Sequence, residues 1–327
     1  MTIHTKIKTG IFGAVALWAF TFVPVAAAQT LTFGHVLEQD HPYHLMAERF
    51  AEELGKRAPE IKVEIFPAGQ LGDERTLIEG LQTGSVDITT VTSALTANFV
   101  PGFRAMSLPF LFRDVDHLFA VMDSEVGDEL AAQMEKQGLI KLGYGYGGAR
   151  DLYTNQPVRN LEELRGMKVR TMENPAIIAT WEQLGAVPTP ISWNDVFVSL
   201  QQRLVDGGEG TGVSYKSMSF NTVAPHYTRI NYIFSWHNFM MARSSFDALT
   251  PAQQEAVKEA GDAAVRYERS LFLERENALF DELAKMGVTI HEPADAAQWA
   301  ARAESVLDSQ ADRVGGKEWI ARIRAVK

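Results

Sequence analysis

The residues best equipped for chemistry in this 327-residue chain are two arginines and a tryptophan. Arg170 closes the run Leu164-Arg-Gly-Met-Lys-Val-Arg170, at the carboxyl end of a segment that reads as a strand. In open α/β sheets ligands bind outside those ends. The planar guanidinium offers two parallel hydrogen bonds to a carboxylate, and a salt bridge to a neighbouring acid would use it equally well. Arg150 ends a Gly-Gly-Ala-Arg turn, where small residues would admit a ligand to the backbone; taken alone it reads more simply as a solvated loop arginine. Trp193 follows Pro188 and Pro190 in a loop leading to a helix. It offers an apolar face to a ligand, or a side chain for packing, which is the commoner use of tryptophan.

Other chemistries fail on their own requirements. Gly143-Tyr-Gly145-Tyr-Gly-Gly148 has the G-x-G-x-x-G spacing, but that fingerprint needs a helix to begin there and aim its N–H groups at a pyrophosphate. The continuation Ala-Arg-Asp-Leu-Tyr-Thr-Asn-Gln-Pro is poor helix material. His41 and His44 lie one helical turn apart, yet no third and fourth ligand follow at metal-site spacing; surface histidines at a helix start are the expected reading. There is no G-x-S-x-G elbow and no cysteine, which removes two nucleophile arrangements. No cofactor and no metal is expected.

Stepping along the chain, strand-like and helix-like segments alternate. Gln29–His35, Ile61–Phe66 and Val86–Val91 read as strands, with helices over His41–Leu54 and Gly72–Gln82 between them. That order predicts a parallel sheet with helices on its faces. Val115–Gln137 reads as one helix, Leu139–Tyr144 as a strand, Asn160–Leu164 as a short helix and Met167–Thr171 as a strand. Helices follow over Pro175–Leu184 and Asp195–Arg203, then strands around Val205 and over Arg229–Ala242. Thr250-Pro251-Ala252-Gln253 is a capping-box start with proline at the first helical position, and the helical pattern runs to Met286. A helix of this length spans about 50 Å, more than one small domain is wide. A strand over Val288–His291 and a helix over Ala294–Val314 complete the pattern. Two α/β lobes sharing crossing segments suit it better than two separate domains.

The N-terminus reads as a signal peptide over residues 1–28, with Lys6 and Lys8, an apolar run from Ile11 to Val25 and a small-residue site at Ala26-Ala27-Ala28. Cleavage would leave a soluble protein outside the cytoplasm, with no direct membrane insertion. Without Lys6 and Lys8, the 31 basic residues become 29 against 41 acidic, a formal charge of −12. Such a surface excludes nucleic acid as a general partner, and makes individual arginines the means of holding any anion.

Six short runs now occur in a fixed order: Pro67-Ala-Gly-Gln-Leu-Gly-Asp-Glu74, Leu108-Pro-Phe-Leu-Phe112, Gly148-Ala-Arg150, Leu164-Arg-Gly-Met-Lys-Val-Arg170, Leu184-Gly-Ala-Val-Pro-Thr-Pro190 and Val205-Asp-Gly-Gly-Glu209. The series resembles the extracytoplasmic solute receptors of tripartite ATP-independent periplasmic (TRAP) transporters, the DctP family, over roughly residues 31 to 290. The resemblance implies a two-lobed periplasmic binding protein fold of the α/β class, with crossing hinge strands and a long bracing helix. It implies one lobe from residues 29–147 and 236–275 and a second from 148–235 and 276–327. It also implies a periplasmic receptor, not an enzyme, that closes over a small organic acid and delivers it to the small and large subunits of a TRAP membrane permease. Receptors of other importers, a chemoreceptor adaptor and an exported enzyme are the alternative functions.

By the same resemblance, Arg170 grips the ligand carboxylate, Arg150 supports it and Trp193 packs on the ligand. Glu74 meets polar groups from the first lobe, and Thr92 and His35 lie at strand ends facing the cleft. One run departs from the family pattern. Where V-D-G-Q-E-N is usual, this chain has Gly208 and Gly210 around Glu209. The asparagine often bonds the ligand, so Gly210 implies less polar readout and space beside Trp193. Glu209 is left to contact ligand, a metal or only the structure.

Overall fold

Strands of alternating burial and helices with one apolar face assemble around a single mixed sheet in the computed structural model, which describes residues 1–2 and 29–327. The signal peptide expected over 1–28 thus lies almost wholly outside the described residues. The nine strands are β1 (Gln29–Gly34), β2 (Ile61–Phe66), β3 (Ile88–Thr92), β4 (Leu139–Thr154), β5 (Lys168–Thr171), β6 (Val187–Pro190), β7 (Gly207–Thr211), β8 (His226–Ala242) and β9 (Thr289–His291). Their order across the sheet is β2-β1-β3-β8-β4-β7-β5-β6, with β9 alongside β8.

The two ends of that order are the parallel β1–β2–β3 group and the parallel β5–β6–β7 group. Between them run β4 and β8, 16 and 17 residues long and antiparallel to each other. At about 3.3 Å per residue each spans some 50 Å, so each serves both groups. The expected all-parallel sheet is therefore mixed: β8 pairs antiparallel with β3, and β4 antiparallel with β7. The β-α-β order gave the lobes their parallel strands, but crossing strands that return through the centre reverse direction.

The helix Pro251–Lys285 braces the same span. Thr250 accepts the Gln253 N–H while the Gln253 side chain accepts from Thr250, as a capping box requires. Its first half, with Val257, Ala260 and Ala264, packs among Leu31, Phe33, Phe50 and Phe239. Its last turns place Leu279 and Leu283 among Tyr153, Phe220 and Tyr227. Gly261 permits the close approach to β4, since a Cβ there would stand 2.6 Å from the Leu142 carbonyl oxygen.

Several elements differ from the sequence reading. The helix expected over Val115–Gln137 is two, Val115–Met122 and Glu125–Lys136, because the Ser124 hydroxyl accepts the Val126 N–H and starts a new helix. Val187–Pro190 forms a strand despite its prolines, which an edge position tolerates. The strand sought around Val205 lies at Gly207–Thr211. The C-terminal helix is Ala296–Gln310, followed by a further helix, Gly316–Ala325. That last helix, within the 276–327 expected in the second lobe, contacts residues expected in the first. His117 meets the Ile323 carbonyl at 3.1 Å, Arg113 donates to that of Arg324 at 2.9 Å, and Trp319 to that of Gly102 at 3.4 Å. Among the described residues, no helix is long and apolar enough to cross a membrane.

Candidate functional site

Arg170 stands near the carboxyl end of β5, between Thr189 of β6 and Gly208 of β7. Its Nε donates to the Ile191 carbonyl at 2.9 Å, and its guanidinium carbon lies 5.4 Å from the Trp193 ring centroid. Nη1 is buried without a hydrogen-bond partner. Burial lowers the pKa; Tyr153 and Glu209 oppose that, and Arg150 adds to it. A guanidinium so placed is charged, desolvated and short of a counter-charge.

Arg150 is differently served. It lies within β4 rather than in a turn: Gly148, at φ 91°, forms a bulge and the strand continues through to Thr154. Its Nε donates to Glu209 Oε2 at 2.7 Å and its Nη2 to the Glu209 carbonyl at 3.3 Å. The Tyr232 hydroxyl donates to the same Oε2 at 2.6 Å. Although burial works to lower the Arg150 pKa, Glu209 raises it overall. Burial likewise works to raise Glu209, but Arg150 holds it below the ordinary carboxylate value. One positive charge is thus neutralised within the wall, and the other is not.

The two arginines border one cleft. A cavity of 150 Å³ is lined by Arg170, Trp193, Met172, Glu74 and Asp73 among others. A second recess shares the first four and adds Arg150, Thr92, Tyr43, Thr211 and Ser214. Asp73 caps the helix Glu74–Thr83 through the Thr76 N–H, which sets Glu74 in the first turn facing the cleft. Glu74 accepts the Thr92 N–H at 2.9 Å and the Thr92 hydroxyl at 3.4 Å. Burial raises its pKa against the Thr92 N–H and the two arginines. The cleft therefore joins an anion-seeking end at Arg170 to an acceptor-rich end at Glu74.

Five of the eight anticipated residues border this cleft: Arg170, Arg150, Trp193, Glu74 and Thr92. His35 does not. It is fully buried behind the wall, its Nε2 3.0 Å from His44 Nδ1 and its Nδ1 accepting the Leu37 N–H; Val36 and Leu37 take the cleft position. Glu209 is also withdrawn, as the partner of Arg150. Gly210 does not line the cleft, and the space expected beside Trp193 is filled by Tyr153. A Cβ at 208 would lie 2.6 Å from the Tyr153 hydroxyl, and one at 210 would lie 3.3 Å from its ring. His41 and His44, expected on the surface, are 1% and 7% exposed. Among the described residues no group of three acids and histidines is placed to hold a metal.

Met172, Tyr43, Thr211 and Ser214 went unnoticed in the sequence. Met172 lies just past the end of β5, two residues after Arg170, close enough in the chain to reach the same cleft. Ser214 gives no sign of its place, since only the fold brings it to the cleft. Contacts also cross the rim: Ser192 donates to Asp73 at 3.3 Å, Arg75 pairs with Glu173 at 2.8 Å, and His41 Nε2 lies 3.0 Å from the Ser214 hydroxyl.

Comparison with known proteins points the same way. The family described as "Bacterial extracellular solute-binding protein, family 7" (DctP) matches residues 33–313. A Roseobacter denitrificans solute-binding protein is 33% identical over 318 residues, covering 96% of this chain and 97% of its own. A TRAP periplasmic solute-binding protein from Bordetella, solved with density interpreted as pantoate, is 31% identical with a TM-score of 0.88, over 91% of this chain and 99% of that one. The sugar-acid-binding protein of Advenella mimigardefordensis, in complex with galactonate, is 25% identical with a TM-score of 0.89, over 91% and 97%.

Proposed function

The chain belongs to the bacterial extracellular solute-binding proteins of family 7, and from that membership we propose that it captures a hydroxylated organic acid and passes it to a TRAP-type membrane permease. It is a receptor and not an enzyme: the ligand leaves as it arrived. The work is done in the periplasm, reached through the leader read in residues 1–28. Galactonate and pantoate, the acids associated with two similar structures, each carry one carboxylate and at least two hydroxyls.

The observation that carries this reading is the unpartnered, buried Nη1 of Arg170. A carboxylate at that point restores the hydrogen bonds and charge balance that burial took away, and charge-assisted bonds of this kind are the strong ones. The Trp193 ring, already beside the guanidinium, covers the ligand's carbon chain. Glu74, with its pKa raised, accepts from ligand hydroxyls at the other end. Arg150 supports by holding the wall through its pair with Glu209.

Capture is by lobe closure, with differential contacts of the bound acid shifting the population to the closed state. We assign residues 29–147 and 236–275 to the first lobe and 148–235 and 276–310 to the second, with 311–327 returning to the first. A thermal-shift screen tests the proposal. Galactonate, erythronate, galacturonate and pantoate are compared with their uncharged methyl esters or polyols, since a ligand that binds only the native state raises Tm. At least one acid should raise Tm while its uncharged counterpart does not. Equal shifts from both would remove the carboxylate from the account.

A further inference from the structure

Ser214 lies on the short helix Gly212–Ser217 after β7 and borders the recess that Arg150 also lines. Its hydroxyl is approached from two sides. Thr211 donates to Ser214 Oγ at 3.0 Å from the same lobe. From the opposite lobe comes His41 Nε2, also at 3.0 Å.

The proton on His41 is settled by the helix it caps. His41 is the N-cap of Pro42–Arg57, and its Nδ1 accepts the Tyr43 N–H at 3.2 Å. A nitrogen that accepts carries no hydrogen, so in the neutral ring the hydrogen sits on Nε2. His41 therefore donates to Ser214. A serine oxygen has two lone pairs and one hydrogen; both lone pairs are now taken, and no acceptor among the described residues claims the hydrogen. It is left to the cleft.

We propose that Ser214 is a ligand-binding residue whose hydroxyl donates to an oxygen of the bound acid, with His41 as the positioning residue that aims it across the closed cleft. The inference rests on the receptor reading above and adds to it a hydrogen bond shared between capture and closure. The donor is set only when the first lobe reaches the second. In the open state His41 is withdrawn, and the hydroxyl keeps only the Thr211 bond of its own lobe.

A consequence for pH follows from the same geometry. In the closed cleft His41 is 1% exposed, with Tyr43 and Phe272 edge-on to its ring. The ionisable groups facing it are His35 on β1's continuation, His237 on β8 and Arg275 on the long helix; Glu268 of that helix stands behind His237 at 3.3 Å. Burial, then His35, His237 and Arg275, push the His41 pKa well below its usual value. An imidazolium would also turn a second N–H against the Tyr43 N–H. Opening removes only the burial that the second lobe supplies; His35, Tyr43, His237, Phe272 and Arg275 all lie in residues assigned to the first lobe and stay with the ring. That relief favours protonation in the open state, so the closed state binds fewer protons and affinity falls as pH drops.

Calorimetric titration of the full chain with pantoate and with D-galactonate tests this at pH 7.5 and 5.5. Ser214→Ala should weaken binding about tenfold, the scale of a lost hydrogen bond to a charged group. His41→Asn keeps a side chain that caps the helix well but cannot reach Ser214. It should weaken binding to a similar extent, and the double variant little further. The parent should lose affinity from pH 7.5 to 5.5, and His41→Asn should lose less. Normal affinity in Ser214→Ala, beside a large loss in Arg170→Ala, would overturn this inference and leave the receptor reading intact. Normal affinity in Arg170→Ala would instead strike the receptor reading. Imidazole ¹⁵N shifts need no ligand at all: they should report His41 protonated at Nε2, and protonation at Nδ1 would overturn the proposal.

Discussion

Two arginines 20 residues apart border the same cleft, and the walls around them are built on opposite plans. Around Arg150 the lobe supplies everything the charge needs: Glu209 at 2.7 Å, with Tyr232 steadying the same carboxylate oxygen. Around Arg170 it supplies a carbonyl, the Trp193 ring and the neighbouring Tyr153, and leaves Nη1 without a hydrogen-bond partner. Burial acts on both side chains. Glu209 overcomes it at Arg150, whose pKa is raised, whereas nothing overcomes it at Arg170, whose pKa is lowered. A buried charge that has its partner is architecture; a buried charge that lacks one is a candidate for a ligand that supplies it.

Breaking the architectural side gives the largest effect on folding. Glu209→Leu strands Arg150 without a counter-charge and should cost about 3–5 kcal/mol, whereas replacing both members, as Arg150→Met with Glu209→Leu, should recover most of that. Denaturant midpoints of the two variants check it. A double variant no more stable than the single one would contradict the pairing.

The glycines beside the pair make a second, smaller contrast. Gly210→Asn sets a side chain against the Tyr153 ring, where a Cβ already has only 3.3 Å. Overpacking of this kind costs about 1–3 kcal/mol. The loss should shrink when Tyr153→Leu is made first, a coupling that thermal unfolding of the four-member cycle reads directly. Equal losses in both backgrounds would show that Tyr153 does not occupy the asparagine's space.

Trp193 gives the mildest change. Its ring faces the Arg170 guanidinium at 5.4 Å, and cation–π contacts are worth about 0.5–2 kcal/mol. Trp193→Leu should therefore weaken ligand binding several-fold by calorimetry, well short of the effect of removing the arginine itself. An effect as large as that of Arg170→Ala would move the centre of the site onto the aromatic ring.

Much of this was legible in the sequence because it is local. Capping signals and periodicity mark Pro175–Leu184 and Pro251–Lys285, and both elements run over those residues. Arg170 announces itself by ending a strand. The break at Ser124 was also local; a serine before an acidic first turn is a cap signal, overridden by the continuous apolar pattern around it. What stayed hidden was non-local. The Arg150–Glu209 pair joins residues 59 apart and the His41–Ser214 contact residues 173 apart. His35 faces inward because its ring finds His44, which no spacing rule encodes. Tyr153 fills the room left by Gly208 and Gly210 only because β4 and β7 pair in that register.

The central claim is that Arg170, and not Arg150, is the charge that waits for the ligand. Calorimetry of Arg170→Ala with the acid that most stabilises the parent chain, alongside thermal unfolding without ligand, tests it most directly. Affinity should fall at least a hundredfold, in line with the about 2–5 kcal/mol lost when a desolvated charge loses its partner, while Tm stays the same or rises as an unpaired buried charge is removed. Near-normal affinity together with a marked drop in Tm would contradict the claim and assign Arg170 to the architecture instead.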